Sequence, residues 1–433
     1  MKKVLIVTPN WPPISCPDIH RVRMSLQFFS DFGWEPLILK INPNEQEGLK
    51  DEDLSRTICD SIQTWQAECF PKVWTRWIGI QSVGLRSFFH LAQLGSEIIK
   101  AAKPDLIFFS TTMFHVMFLG RYWHSQYGLP YVLDFQDPWF SDYYSRPQAL
   151  KPPGGQFKYG LSQAMARFLE SWTLRRVSHV ISVSPQYPKT LLKRYSWLHP
   201  EQLTVIPFGA SETDFEQLPS LNIQQKIFDR NDGKRHWVYV GRGGNDMTLA
   251  LRSLFLGIQC ERYQNPEQWQ SVQLHFVGTS YAPKHRSVKT VEPIAQELGV
   301  ADLVTEHTHR IPYFEALQVL TDSDAILLIG SNDSGYTASK LYPCILARKP
   351  ILAIFHQESS VVDILHHCQA GRAITFAPEN QPEDLLAEVK IQLQKLLSLP
   401  KGYQPETNWT AFQPYTSREM TRKQCAIFDQ CLT

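Results

Sequence analysis

Short apolar runs at residues 4–7, 35–39, 106–109, 131–133, 180–183 and 203–206 alternate along the first half of the chain with longer stretches of helical character. Buried strands separated by helices predict a parallel, doubly wound α/β sheet. A polar stretch at 211–235 then interrupts the rhythm. A second series follows at 237–240, 272–277, 325–329, 351–355 and 373–376. The pattern predicts an N-terminal domain over 1–208, a connector over 209–235, a C-terminal domain over 236–400 and a tail over 401–433. With 433 residues the chain is long for one core, which favours the same division.

Composition narrows the class. A hydrophobic share of 43% is ordinary for a globular protein and argues against wholesale disorder. The formal net charge of +1 argues against a general nucleic-acid binder, which needs wide phosphate neutralisation. Eight cysteines stand singly, without a CxxC pair or a zinc-like histidine cluster, so free thiols in a reducing cytosol are expected. The apolar run before Pro9 is too short for a signal peptide and reads as a first strand. No segment approaches the ~20 apolar residues that cross a bilayer. The expected location is therefore cytoplasmic, with any membrane contact peripheral at the inner face. One region is unbalanced: Lys151, Lys158, Arg167, Arg175, Arg176, Lys189, Lys193 and Arg194 face the single acid Glu170. Two readings stand, a solvated helix face or a border to an anionic or lipid-linked substrate, with Phe157, Tyr159, Phe168 and Trp172 entering the interface.

Candidate chemistry lies where the runs end. In an open parallel sheet, ligands sit at the carboxyl ends of strands. After the first run come Asp18, His20 and Arg21, able to meet an acceptor or a donor phosphate; alternatively Asp18 caps the next helix and Arg21 faces solvent. His115 follows the run at 106–109, as a core residue or a catalytic one. Asp137 sits in the turn Gln136-Asp137-Pro138-Trp139, as a carboxylate presented to a cleft or as a cap. The turn Gly241-Arg242-Gly243-Gly244-Asn245 leads from a strand into a helix, where glycine backbone and arginine suit a diphosphate. Lys340 follows 325–329 in Tyr336-Thr337-Ala338-Ser339-Lys340-Leu341-Tyr342-Pro343 and is placed to meet an anion.

Taken together, residues 239–245 and 336–343 resemble the donor half of family-4 nucleotide-sugar glycosyltransferases of the GT-B fold, which has two Rossmann-like domains and an interdomain cleft. The likeness extends over nearly the whole chain and is strongest over 237–355. It implies a retaining transfer of a sugar from a nucleotide diphosphate donor to an acceptor hydroxyl, in glycan or glycolipid synthesis. Expected partners are a nucleotide sugar, a glycan or lipid-linked acceptor and an anionic membrane surface; no cofactor, metal or nucleic acid is expected. The implied catalytic set is Arg242, Lys340, Asp137 and His115. The implied donor set is Gly241, Gly243, Gly244, Asn245, Tyr336, Thr337, Ser339, Leu341 and Tyr342, with His309, Arg310 and Ile311 around the base. Several family positions differ. Ser15-Cys16 replaces a glycine pair, Gln136 an arginine, Phe208 an asparagine and Met247 a lysine, while Gly335 and Pro343 stand at two glutamate positions. Ser339 and Tyr342 would then cover ribose contacts. Loss of these groups supports a second reading, a non-catalytic partner protein that binds a nucleotide or glycan. The final helix is expected to cross back onto the first domain, as in other GT-B chains.

Overall fold

Two parallel sheets carry the strand series in the computed structural model, which describes residues 1–46, 48–77, 80–140, 156–282, 286–333, 336 and 339–433, without the side chains of 156–158 and 161. The first sheet contains β1 (Lys2–Val7), β2 (Trp34–Ile41), β3 (Gln63–Ala67), β4 (Leu106–Ser110), β5 (Tyr131–Phe135), β6 (His179–Ser182) and β7 (Leu203–Val205). Its order is β3-β2-β1-β4-β5-β6-β7. The second contains β8 (Arg235–Val240), β9 (Val272–Val277), β10 (Val304–His307), β11 (Ala325–Ile329), β12 (Ile351–His356) and β13 (Arg372–Phe376), in the order β10-β9-β8-β11-β12-β13. Both sheets are doubly wound, and each reverses its winding once: between β1 and β4, and between β8 and β11. At such a reversal the loops diverge to opposite faces and leave a crevice at the carboxyl ends.

The strands form where both faces are covered. β11 is buried at every position, and β9 at all but Gln273. β3 departs from the expected pattern. It is a polar edge strand, Gln-Thr-Trp-Gln-Ala, paired only with β2, so it needs no apolar run.

The chain divides into two units, Met1–Gly209 with Ser417–Thr433, and Ala210–Thr416. The stretch 211–235 thus belongs to the second unit, where it contains the helix Glu212–Leu221. The helix Ser417–Gln430 belongs to the first. There Phe428 meets the rings of Phe29, Trp34 and Phe108 at 6.4, 5.4 and 5.2 Å. Gln424 Nε2 also donates to Ser25 Oγ at 3.0 Å.

The basic region differs from a uniform charged face. Glu170 is buried and accepts from Arg194 Nη1 at 2.6 Å, Tyr195 Oη at 2.8 Å and the Phe140 amide at 3.1 Å. Arg194 also covers the Phe140 ring at 4.4 Å. Trp172 stacks on Phe118 at 4.1 Å and carries the Arg121 guanidinium at 4.2 Å. These two residues are therefore packing elements. Arg167, Arg175, Arg176, Lys189 and Lys193 are exposed, and Lys151 lies outside the described residues.

Candidate donor site at the carboxyl ends of the second sheet

Four neighbouring strands of the second sheet end together, and their loops are laced by backbone hydrogen bonds. Gly241 N donates to Val277 O at 2.9 Å, Gly243 N to Thr279 O at 2.7 Å, Gly278 N to His307 O at 2.8 Å and Asn332 N to Asp246 O at 2.8 Å. The loops after β8, β9, β10 and β11 thus form one platform. Gly243 has a packing reason to lack a side chain, since a Cβ there would lie 2.4 Å from Thr290 Oγ1 and 3.2 Å from Thr279 Cβ. Beneath the platform the buried Glu306 accepts from Thr279 Oγ1 at 2.6 Å and from the Thr290, Val291 and Glu292 amides at 2.9 to 3.1 Å.

Arg242 and Lys340 come from the two sides of the β8/β11 reversal and meet around Tyr239. The Tyr239 hydroxyl donates to Arg242 O at 2.6 Å, and it accepts from Lys340 Nζ. The Lys340 ammonium stands 3.9 Å from the centroid of the same ring. Burial pushes the Lys340 amine down to about 7, and the nearby Arg242 charge contributes in the same direction. Such a group recovers its charge when an anion arrives.

The Arg242 guanidinium lies over the Tyr336 ring at 4.7 Å and is held bidentately by Asp246, with Nη1 and Nη2 donating at 2.9 and 2.7 Å. Burial works against the Asp246 carboxylate, but the bonds from Arg242 and Ser331 outweigh it and keep its pKa below the ordinary range. Asp246 was not singled out from the sequence. It stands four residues after Arg242, across a non-helical turn that brings the two side chains together.

The other expected donor residues divide. Gly241, Gly244 and Asn245 lie in the Arg242 turn, and Ser339 is exposed beside Lys340. Leu341 and Tyr342 are core residues instead: both are buried, and the Tyr342 ring stacks on Tyr415 at 5.7 Å. Their side chains are spent on packing the short helix Leu341–Leu346, so a ribose role for the Tyr342 side chain does not fit. His309 and Arg310 are exposed after β10, with Arg310 over Tyr281 at 5.2 Å, and Ile311 is half-buried. Thr337 lies outside the described residues. Met247 is buried and approached by the Tyr239 hydroxyl at 3.6 Å, so a cation at that position would be stripped of water.

A second polar cluster occupies the β1/β4 reversal of the first sheet. Asp18 is buried and accepts from Asn10 Nδ2 at 2.9 and 3.1 Å and from the amide and hydroxyl of Thr112 at 3.3 and 3.2 Å. Burial raises its pKa despite these bonds. Asp137, just past β5, is also raised, first by desolvation and then by the neighbouring Asp18 charge. His20 is half-buried, with Nδ1 at 3.5 Å from Arg23 Nη2. Burial brings His115 down to about 4, a neutral imidazole lying against Gly84, where a Cβ would come within 2.4 Å of its Nε2.

Arg21 corrects the sequence reading on both counts. Its side chain is 0% exposed, with Nε 2.7 Å from Asp134 Oδ2 and Nη2 donating to Ile206 O at 2.7 Å. Phe208 covers the guanidinium at 5.0 Å. The charge is consumed inside the core and meets neither solvent nor an acceptor. Gln136 follows from the same cluster. Its Nε2 donates to Asp134 Oδ2 at 2.8 Å and Ser110 Oγ at 2.9 Å, where a second cation would exceed the single buried carboxylate.

Among the described residues no helix is long and apolar enough to cross a membrane, and no group of three or more His, Cys, Asp or Glu is placed to hold a metal ion.

Comparison with known proteins adds a fold and a partial family match. Residues 60–209 match the model of the glycosyl transferase 4-like domain. That match lies in the first unit, whereas the motif likeness read from the sequence centres on 237–355. None of the curated proteins matches the chain. Among solved structures, sucrose-phosphate synthase from Thermosynechococcus elongatus is similar with a TM-score of 0.64 at 14% identity, over 99% of both chains. Anabaena HepE in complex with UDP and glucose gives 0.62 at 14% identity, over 99% of this chain and 100% of that one. A glycosyltransferase from Rickettsia africae gives 0.59 at 13% identity, over 100% and 99%. At these identities the likeness establishes architecture, and the architecture is GT-B: two Rossmann-like domains.

Proposed function

We propose that the protein transfers a sugar from a nucleotide diphosphate donor to an acceptor hydroxyl, in glycan or glycolipid synthesis. The observation that carries this reading is the convergence of Arg242 and Lys340 on Tyr239, at the winding reversal of the second sheet. The partial match to a glycosyl transferase 4-like domain, and a similar structure titled as a complex with UDP and glucose, support it.

In the reaction the bond between the anomeric carbon and the diphosphate oxygen breaks, and a bond to the acceptor oxygen forms. The departing diphosphate gains negative charge. Arg242 and Lys340 would stabilise it, Lys340 more strongly as the growing charge restores its ammonium form. The turn at Gly241, Gly243 and Gly244 supplies backbone beside the phosphates, and His309, Arg310 and Ile311 flank the base. The acceptor hydroxyl gives up its proton to solvent or to the departing phosphate as the new bond forms. Retention at the anomeric carbon is the outcome the family resemblance implies. Two cations do the work of a metal in this reading, which therefore includes none.

A non-catalytic binding partner is the second reading, favoured by Gly335 and Pro343 at the two glutamate positions. Both readings require the anion site. Calorimetric titration with UDP, GDP, ADP and dTDP should show binding that Arg242→Ala and Lys340→Ala each weaken by about 1.5–3 kcal/mol, the scale of hydrogen bonds to charged groups. Unchanged affinity in both variants would remove the site.

A further inference from the structure

The first unit carries an apolar helix face turned outward. In the helix Lys72–Trp77 the buried residue is Thr75, whose hydroxyl donates to Pro71 O at 3.4 Å. Val73, Trp74 and Trp77 occupy the i, i+1 and i+4 positions of the opposite face and are 71%, 70% and 89% exposed. The face continues through Phe70, whose ring meets that of Phe89 at 6.2 Å, edge to face, and Phe89 is itself 69% exposed. The two segments are clamped together: Arg86 Nε donates to Phe70 O at 2.8 Å, and Phe70 N donates to Arg86 O at 3.1 Å. Several large apolar side chains exposed on two clamped segments mark an interaction surface.

Charge selects the partner. Lys72 and Arg76 flank the tryptophans and are exposed, and no acidic residue occurs from Phe70 through Ser96. The nearest acids along the chain are Glu68, which accepts from Asn42 Nδ2 at 3.1 Å, and Glu97, which accepts from Gln93 Nε2 at 3.1 Å, while Glu45 is paired with the buried Arg86. Tryptophan and phenylalanine between lysine and arginine match a lipid–water interface. The rings enter the acyl boundary, and the cations, on long apolar stems, reach anionic headgroups. We propose that this face, Phe70, Val73, Trp74, Trp77 and Phe89 with Lys72 and Arg76, docks the protein peripherally on an anionic lipid surface. In the basic region at 151–194, by contrast, Trp172 and Arg194 are packed inward.

Vesicle flotation tests this with phosphatidylcholine–phosphatidylglycerol mixtures against pure phosphatidylcholine. The full-length protein should partition onto the anionic vesicles and leave them as salt rises. A Trp74→Ser/Trp77→Ser variant should lose binding by about tenfold or more, and Lys72→Gln/Arg76→Gln should lose the dependence on lipid charge and salt. Because these side chains are exposed, thermal unfolding of both variants should match the parent, which separates lost docking from lost folding. Partition indifferent to lipid charge, or tryptophan variants that bind as the parent does, would overturn the proposal. A concentration-dependent dimer abolished by the tryptophan variant, with no vesicle binding, would instead identify a self-association face.

Discussion

Asp246 holds both terminal nitrogens of Arg242, at 2.9 and 2.7 Å, in the geometry a phosphate oxygen pair would adopt. The carboxylate sits on the same rigid turn as its partner, and both side chains are partly exposed. A diphosphate bound by the same two nitrogens would displace it. Asp246→Asn removes the competing charge while keeping an acceptor oxygen, and it should tighten nucleoside-diphosphate binding by about two- to fivefold, since a partly exposed ion pair is worth about 0.5–1 kcal/mol. Calorimetry on the variant checks this. Weaker binding would mean that Asp246 orients Arg242 for the ligand rather than competing with it.

Lys340 predicts a proton linkage. Its pKa in the folded chain is about 7 against an ordinary 10.5, so burial of its charge costs most below pH 7 and is relieved as pH rises from there to 10.5. An anion reverses the balance by restoring the ammonium. Affinity for a nucleoside diphosphate should therefore decline as pH rises above about 7, with uptake approaching one proton per ligand near about pH 8. Titration in buffers of different ionisation enthalpy measures that proton. Lys340→Met should abolish the uptake, and an unaltered uptake in the variant would place the proton on another group.

Arg21→Met is expected to unfold the first unit more readily, not to change donor binding. It strands the Asp134 carboxylate, which is fully buried, and the cost of an uncompensated buried charge is about 3–5 kcal/mol. Denaturant unfolding measures this, and Arg21→Met/Asp134→Asn should recover part of the loss. A stable single variant with impaired turnover would return Arg21 to the substrate side.

The second unit should be sensitive to acid through His275. Burial, with the charges of His236 and His307, brings its pKa down from 6.5 to about 3. The depressed value means that stability is present above 6.5 and is lost as pH falls from there toward about 3. His236 Nδ1 lies 3.0 Å from His275 Nε2, a contact in which one nitrogen donates and the other accepts, so the pair has room for a single proton between the two rings. His275→Gln should flatten the stability profile between those values by up to about one proton. An unchanged slope would assign the acid sensitivity to other groups of the second unit, such as His307, whose pKa is also lowered by burial.

These residues also show which features a sequence makes legible. β11 was readable to the residue because a strand covered on both faces is apolar throughout. β3 was not, because an edge strand can be polar. The pairing of Arg242 with Lys340 was inferable, since each follows a strand whose carboxyl end opens on the same winding reversal. The hold of Asp246 on Arg242 is a local i, i+4 relationship that a search for ligand-facing cations passes over. Burial of Arg21 was hidden for a different reason: charge alone reads as surface, and the compensating Asp134 comes from a distant strand. Tyr342 was misplaced because a tyrosine beside a candidate lysine reads as a ligand contact, while its ring is fixed by Tyr415 near the end of the second unit.

The most direct test of the account is product analysis after incubation with UDP-, GDP-, ADP- and dTDP-sugars and extracted glycans or lipids. Mass spectrometry should detect both released nucleoside diphosphate and a new glycoside, and Arg242→Ala should abolish both while Asp246→Asn does not. Tight nucleotide binding without release or transfer across the whole panel would contradict a transferase and leave the non-catalytic binding protein.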